Sequence, residues 1–139
     1  MVKYRFIRRP NQTLLRQITE IYRGEGWWVR GDTPALLRRI ISRSRLFIIA
    51  EEDGRAVGMA RAIDAWSREV YIHDVAVLRP YRGRKIGSGL LTRLVSRLRS
   101  GGVRWMGLIA SGGAEAFYRP LGFRSPPGAA AMTRGTPNV

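Results

Sequence analysis

The residues with the clearest chemical potential form a short basic segment rich in glycine, residues 82–89. Arg82, Arg84 and Lys85 stand there among three glycines, after a strand-like apolar run and before a helical apolar repeat. Glycine lets the backbone approach phosphate oxygens closely, and the free N–H groups at the start of a helix attract anions. The pattern therefore predicts an anion site, although an ordinary turn into a helix would look similar.

Neither of the two common nucleotide-binding loops fits this segment. The pattern G-x-x-x-x-G-K-[ST] does not occur in the sequence. No G-x-G-x-x-G follows a first strand with an acidic residue about twenty positions further on. These absences disfavour nucleotide hydrolysis and dinucleotide binding.

Two adjacent residues could carry proton transfer. His73, the only histidine, lies next to Asp74 inside a strand-like run. Imidazole has an ordinary pKa of about 6.5, which suits deprotonation of an amine, directly or through water. Period-two alternation predicts that the two side chains lie on opposite faces of the strand, so that at most one points into a cleft. Asp74 could instead pair with an arginine, and His73 could be structural.

The charge balance favours a polyanionic ligand or partner. The formal net charge is +15, and eight basic residues but no acidic one lie between Asp74 and Glu115. A phosphate-rich cofactor, an acidic acceptor or a nucleic acid would each be attracted by such a field. Charge alone does not choose among them.

Size and composition indicate one ordinary domain with its own core. The chain has 139 residues, of which 45% are apolar, and no cysteine. Without cysteine there is no disulfide, no thiolate metal site and no acyl group bound to a cysteine. Direct transfer of a group between two substrates is therefore the simplest covalent chemistry, and no metal is implied. No run approaches the roughly 20 apolar residues of a membrane helix, and no signal-peptide core follows the basic N-terminus. We expect a cytoplasmic protein without a membrane partner.

Hydrophobic periodicity predicts the elements that position these residues. Strands are predicted at residues 2–8, 46–52, 56–63, 70–78 and 103–110, with the second and third joined by Asp53-Gly54. A helix capped by Asn11 is predicted before Gly24, and a second helix, capped by Asp32 or Thr33, ends near Ser44. Further helices are predicted at 87–100 and 114–121, and one last strand near 130–133. This order favours an α/β fold, or α+β by a stricter definition, with helices on both faces of a mixed sheet.

Three segments resemble the GNAT superfamily of acyl-CoA-dependent N-acetyltransferases. Residues 82–87 resemble its pyrophosphate signature Q/R-x-x-G-x-G/A, and residues 111–123 are similar to its segment N-x-x-A-x-x-[FL]-Y-x-x-x-G-F. Gly26-Trp27 and the stretch 53–58 also fall where relatives have such residues. The chain departs from the pattern twice, with Lys85 in place of the middle glycine and Ser111 in place of a common asparagine. Because a positive φ would strain a lysine by roughly 1 kcal/mol, we predict a negative φ at Lys85.

The resemblance implies acetyl-CoA as the cofactor and a single N-acetyltransferase domain over residues 1–139, with a short tail at 125–139. It also implies a twisted, mostly antiparallel sheet whose fourth and fifth strands splay apart to admit the cofactor. The implied cofactor-binding residues are Val75, Ala76, Val77, Arg82, Gly83, Arg84, Lys85, Ile86, Gly87, Ser88, Gly89, Ser111, Ala114 and Phe117.

The same resemblance suggests catalytic roles. Tyr118 corresponds to the general acid of the family, and a backbone N–H within 75–77 would polarise the thioester carbonyl. His73 and Asp74 are equal candidates for the base, with Glu115 a weaker one that could merely cap its helix. Trp27 and Trp28 are candidates for acceptor contacts, although core packing explains them equally well.

The expected activity is direct acetyl transfer to a primary amine of a small molecule or peptide in a ternary complex. A homodimer is what the family resemblance suggests, and a polyamine acceptor is disfavoured by like charge. Two alternatives stay open: acetylation of aminoacyl-tRNA or RNA binding driven by charge, and a non-catalytic acyl-CoA binder.

Overall fold

A five-stranded sheet organises the described part of the chain. The computed structural model describes residues 1–66 and 68–135. The strands are β1 (Val2–Phe6), β2 (Leu46–Glu52), β3 (Arg55–Trp66), β4 (Glu69–Val77) and β5 (Trp105–Gly107). They lie in sequential order across the sheet, antiparallel from β1 to β4, with β5 parallel to β4. The predicted mixed, mostly antiparallel α/β architecture is confirmed.

Residues 1–66 and 68–135 contain four α-helices: α1 (Gln12–Gly24), α2 (Pro34–Arg43), α3 (Ile86–Ser100) and α4 (Glu115–Tyr118). Asn11 caps α1 by accepting a hydrogen bond from the Leu14 N–H at 2.8 Å. Thr33 caps α2 in the same way from the Leu36 N–H at 3.1 Å. Of the two residues predicted to cap α2, Thr33 is the cap. The Asp32 carboxylate accepts a hydrogen bond from the Val29 N–H and does not cap the helix.

The two faces of the sheet carry separate cores. Helices α1 and α2 pack on one face, where the buried side chains include Ile18, Leu37, Phe47 and Met59. Helix α3 packs on the other face, where Leu90, Leu91 and Leu94 meet alternate residues of β2 to β4. We call these the α1–α2 face and the α3 face. Alternation along the strands sends successive side chains to opposite faces, so that both cores form from the same strands.

Strands β4 and β5 pair over only a short length. Their register runs from Glu69 opposite Trp105 to Tyr71 opposite Gly107, whereas β4 itself continues to Val77. The predicted fifth strand at 103–110 was therefore too long, because residues 108–110 leave the ladder. The predicted splay is confirmed, and it opens a cleft beside the second half of β4.

The described part of the tail contains no regular strand. Residues 130–133, predicted as a last strand, have no strand hydrogen bonding, and 136–139 lie outside the described residues. Pro126 and Pro127 lack N–H donors, which prevents a regular ladder just before this stretch. Within the described ranges, no helix combines the length and apolarity needed to cross a bilayer.

Candidate active site

The basic glycine segment forms a tight connection between β4 and α3. A single 3-10 turn, Arg79–Tyr81, follows β4, and α3 begins at Ile86. Gly83 has a φ of 78° and Lys85 a φ of 62°, so left-handed residues stand directly before the right-handed helix. Such alternation points successive N–H groups toward the same side, the arrangement that binds anions.

The start of α3 has backbone donors to spare. The first N–H to bond within the helix is that of Gly89, which donates to the Lys85 carbonyl at 3.0 Å. The N–H groups of Ile86, Gly87 and Ser88 therefore have no acceptor within the helix. Together with the helix dipole they make a positive patch of backbone origin.

The predicted negative φ at Lys85 is wrong. Lys85 is the residue immediately before α3, and its φ of 62° and ψ of 21° are left-handed. Lys85 stands where the chain turns from the loop into α3. A left-handed residue at this point directs the N–H groups of the loop and of the helix start toward the same side. The chain therefore bears the strain of a non-glycine residue at this point.

Lys85→Gly is expected to raise the free energy of unfolding by about 0.5–1 kcal/mol, because glycine adopts a positive φ without strain. Lys85→Ala keeps that strain and should leave stability nearly unchanged. Both variants lose the same positive charge, so the affinity for an anionic ligand should fall by the same factor in both, relative to the wild type. Urea unfolding of the three proteins is the measurement, and equal stability of the Gly and Ala variants would contradict the strain.

A cavity of about 470 Å³ lies between this loop, the second half of β4 and α4. It brings together most of the predicted cofactor-binding residues. Those that line it are Val75, Ala76, Val77, Arg82, Gly83, Lys85, Ile86, Gly87, Ser88, Ala114 and Phe117. We call it the loop cavity.

Three predicted residues do not line the loop cavity. Arg84 turns away and donates to both oxygens of Glu52 at 2.8 and 2.5 Å, bonds that hold the pKa of Glu52 below its ordinary value. Gly89 lies against Tyr4, whose ring would collide with any Cβ at this position. Ser111 is exposed to solvent.

Arg82 is the arginine that faces the loop cavity. Its Nε donates to the Val77 carbonyl at 2.9 Å, which fixes the side chain at the end of β4. Its Nη2 lies 3.3 and 3.4 Å from the oxygens of Glu25, at the end of α1. Glu25 and Tyr81 also line the cavity and were missed by sequence reasoning. Nothing in the sequence connects Glu25 with Arg82, because 57 positions separate them.

Tyr118 forms another wall of the loop cavity. Its ring packs edge-on against Phe117 and Phe123, at centroid distances of 4.8 and 5.8 Å. Burial raises the pKa of the Tyr118 phenol, and nearby Tyr71 raises it further. The hydroxyl is therefore protonated at neutral pH and available as a proton donor.

A bulge in β4 overturns the predicted alternation of His73 and Asp74. His73 pairs with Arg61 and Ala76 pairs with Met59, so two residues of β4 face one residue of β3. Asp74 has a φ of 53°, a conformation that aspartate tolerates better than most residues. As a result His73 and Asp74 lie on the same α1–α2 face, with His73 Nδ1 3.1 Å from Asp74 Oδ1.

Asp74 is the centre of a nearly buried polar cluster. Arg61 Nε donates to its Oδ2 at 2.6 Å and the Tyr22 hydroxyl donates to the same oxygen at 2.7 Å. The side chains of Asp74 and Arg61 are only 10% and 15% exposed, whereas that of His73 is 45% exposed. Burial and the charge of Asp74 raise the pKa of the Tyr22 phenol, so Tyr22 acts only as a donor here.

Trp27 and Trp28 join this cluster through Tyr22. Their rings lie 6.2 and 6.4 Å from the Tyr22 ring and are half-buried against the core of the α1–α2 face. The structure thus places the two tryptophans one side chain away from Asp74. Their predicted acceptor contacts stay a prediction.

Comparison with known proteins identifies the family and the fold. The profile of the Acetyltransferase (GNAT) family matches residues 12–123. The histone acetyltransferase TAP1 of soybean (Glycine max) is 34% identical over 76 residues, which is 55% of this chain and 33% of that protein. The chain thus spans about a third of the length of this relative.

Solved structures share the whole fold. A GNAT-family protein from Xanthomonas campestris pv. campestris superposes with a TM-score of 0.75 at 26% identity, covering 99% of this chain and 96% of its own. An acetyltransferase of Trypanosoma brucei gives a TM-score of 0.76 at 23% identity, covering 96% and 100%. With the family profile extending from the first helix to the residues after α4, the chain belongs to the GNAT family of acetyltransferases.

Proposed function

We propose that this acetyltransferase moves an acetyl group from acetyl-CoA directly to a primary amine, with both substrates bound at once. The observation that carries the proposal is the loop cavity, where unpaired helix N–H groups, Arg82 and Tyr118 all meet. The name of the soybean relative, a histone acetyltransferase, is consistent with an amine acceptor.

The residues of the loop cavity fit acetyl-CoA. The N–H groups of Ile86, Gly87 and Ser88, with Arg82 and Lys85 at the rim, suit a pyrophosphate. The splayed half of β4, residues 75–77, would hold the pantetheine arm, since it has no pairing with β5 there. Ala114 and Phe117 form the apolar wall opposite. When bound, acetyl-CoA supplies an activated acetyl thioester.

The proposed reaction is a direct acyl transfer between two bound substrates. The amine nitrogen forms a bond to the acetyl carbon while the carbon–sulfur bond breaks. Tyr118 donates its phenolic proton to the departing sulfur, and a base removes one proton from the amine. The bulge at Asp74 and Val75 interrupts the ladder with β3. A backbone N–H released there would stabilise the carbonyl oxygen.

His73 is the better placed of the two base candidates. All of the close partners of Asp74 are donors or a histidine nitrogen, and its oxygens are already engaged by Arg61, Tyr22 and His73. His73 Nδ1 lies 3.1 Å from Asp74 Oδ1 and 3.3 Å from Arg61 Nη2. In the proposed mechanism the ring carries its proton on Nδ1, directed at Asp74, which leaves Nε2 as the acceptor. Asp74 then acts as a positioning residue.

The cofactor assignment is tested by isothermal titration of acetyl-CoA into the wild type, Arg82→Ala and Arg84→Ala. Arg82→Ala should weaken binding about tenfold, and less at high salt, because it removes the guanidinium that faces the cavity. Arg84→Ala is the matched control, since this side chain is already paired with Glu52, and it should bind nearly as well as the wild type.

Failure to bind acetyl-CoA would contradict the proposal and favour RNA binding, which fluorescence anisotropy with a labelled RNA would then reveal. Equal losses in the two variants would contradict the assigned roles of the two arginines. Binding without transfer to any amine would favour a non-catalytic acyl-CoA binder.

A further inference from the structure

A second cavity, also of about 470 Å³, lies along β5 on the far side of Tyr118. It is formed by residues 105–110 and by parts of the segment 123–131, and Tyr71 of β4 contributes to its wall. None of these residues belongs to the anion loop. We call it the β5 groove.

The β5 groove is lined by the proposed acid, Tyr118, and lies one side chain away from the proposed base, His73. Tyr118 lines the loop cavity and the β5 groove, so its side chain is shared by their walls. Tyr71 lines the groove, and its ring lies 5.5 Å from the His73 ring. A molecule in the groove therefore lies next to the proposed acid, with the Tyr71 ring between it and the proposed base.

The groove is lined by aromatic rings. Trp105 is 59% exposed, and its ring lies over Gly107, where any Cβ would collide with it. Phe123 and Tyr71 add two further aromatic side chains. Aromatic faces bind flat apolar groups well, because they bury large areas with few rotatable bonds. An exposed ring with glycine beneath it is open on its outer face to such a ligand.

The charges around the groove select against polycations. Among the described residues that line it, Glu115 is the only one with a carboxylate, and Arg119 already pairs with Glu115 at 2.8 Å. Arg124 lines the groove as well. Arg104 precedes Trp105 in the chain, and the Trp105 N–H donates to the Arg68 carbonyl, so two further arginines lie beside Trp105. A ligand with a second ammonium group would meet net positive charge.

We propose that the β5 groove binds the acceptor, and that the acceptor is a primary amine on an aromatic group with no second positive charge. This inference rests on the proposed acetyl transfer, and it names the substrate class. The aromatic part lies on Trp105, and the amine reaches past Tyr118 to the acetyl group in the loop cavity.

The test uses 2-phenylethylamine as the probe. Its binding to protein saturated with coenzyme A is measured by isothermal titration, and its acetylation is compared with that of spermidine and of a lysine-rich peptide. We expect 2-phenylethylamine to bind and to have the highest kcat/KM. Trp105→Ala should weaken its binding and raise its KM about tenfold. Gly107→Ala, which displaces the ring, should act in the same direction.

Met132→Ala is the matched control. Met132 follows directly after Ala131, which lines the groove, but its own side chain is 90% exposed and does not line it. It should leave the KM unchanged, and all three variants should bind acetyl-CoA like the wild type. Absence of 2-phenylethylamine binding, preference for spermidine or the peptide, or equal behaviour of Trp105→Ala and Met132→Ala would overturn the inference. Trp105-dependent binding of 2-phenylethylamine with no acetylated product from any of the three amines would instead contradict the proposed function and leave the groove as a binding site for aromatic amines.

Discussion

Tyr118→Phe is expected to lower kcat by about 100-fold or more while acetyl-CoA affinity stays unchanged. The variant removes one hydroxyl and keeps the ring contacts with Phe117 and Phe123 that shape the cavity wall. Without that hydroxyl the sulfur leaves as an unprotonated thiolate in a partly buried site, where its charge is poorly solvated. Steady-state kinetics and a titration of acetyl-CoA are the measurements.

Tyr81→Phe is the matched control, because Tyr81 lines the same cavity with a second phenol. It should retain nearly full turnover. Burial raises the pKa of Tyr118 above its ordinary value of 10, so the phenol keeps its proton at every pH below 10. Loss of that proton should therefore lower turnover only above pH 10. Unchanged kcat in Tyr118→Phe, or equal losses in the two variants, would remove Tyr118 from the mechanism.

Asp74→Asn is expected to lower the free energy of unfolding by about 3 kcal/mol. The substitution leaves Arg61 as a nearly buried cation without its counter-charge, and it replaces the carboxylate oxygen that accepts from both Arg61 and Tyr22. Asparagine adopts the positive φ of this position about as readily as aspartate, so the backbone of the bulge is preserved. Urea unfolding monitored by tryptophan fluorescence measures the loss.

The matched control is Asp64→Asn. Asp64 pairs with Arg45 at 3.0 Å, but the two side chains are 40% and 24% exposed, so this loss should stay below about 1 kcal/mol. The folded Asp74→Asn protein should also have lower turnover, because His73 loses the carboxylate that orients Nδ1. Similar destabilisation by the two variants would show that Asp74 contributes no more than a surface pair.

Much of the fold could be predicted because the responsible interactions are local. Asn11 and Thr33 cap the two helices that follow them, and Asp53-Gly54 closes the hairpin between β2 and β3. Apolar spacing identified the buried face of α3. The basic glycine segment could also be read directly, since a nest and a free helix start involve only consecutive residues.

The rest depends on contacts between distant parts of the chain. Strict alternation separated His73 from Asp74, whereas the bulge against β3 brings them to one face. Which arginine faces the cavity was equally hidden, because Glu52 draws Arg84 away across 32 positions while Val77 and Glu25 hold Arg82. The sequence by itself determined the elements, their order and the anion-binding loop, since propensity, capping and spacing act over a few residues. Only the tertiary structure decided the register of β4, the partners of Arg82, Arg84 and Asp74, and the groove beside Tyr118, because packing between distant segments sets them.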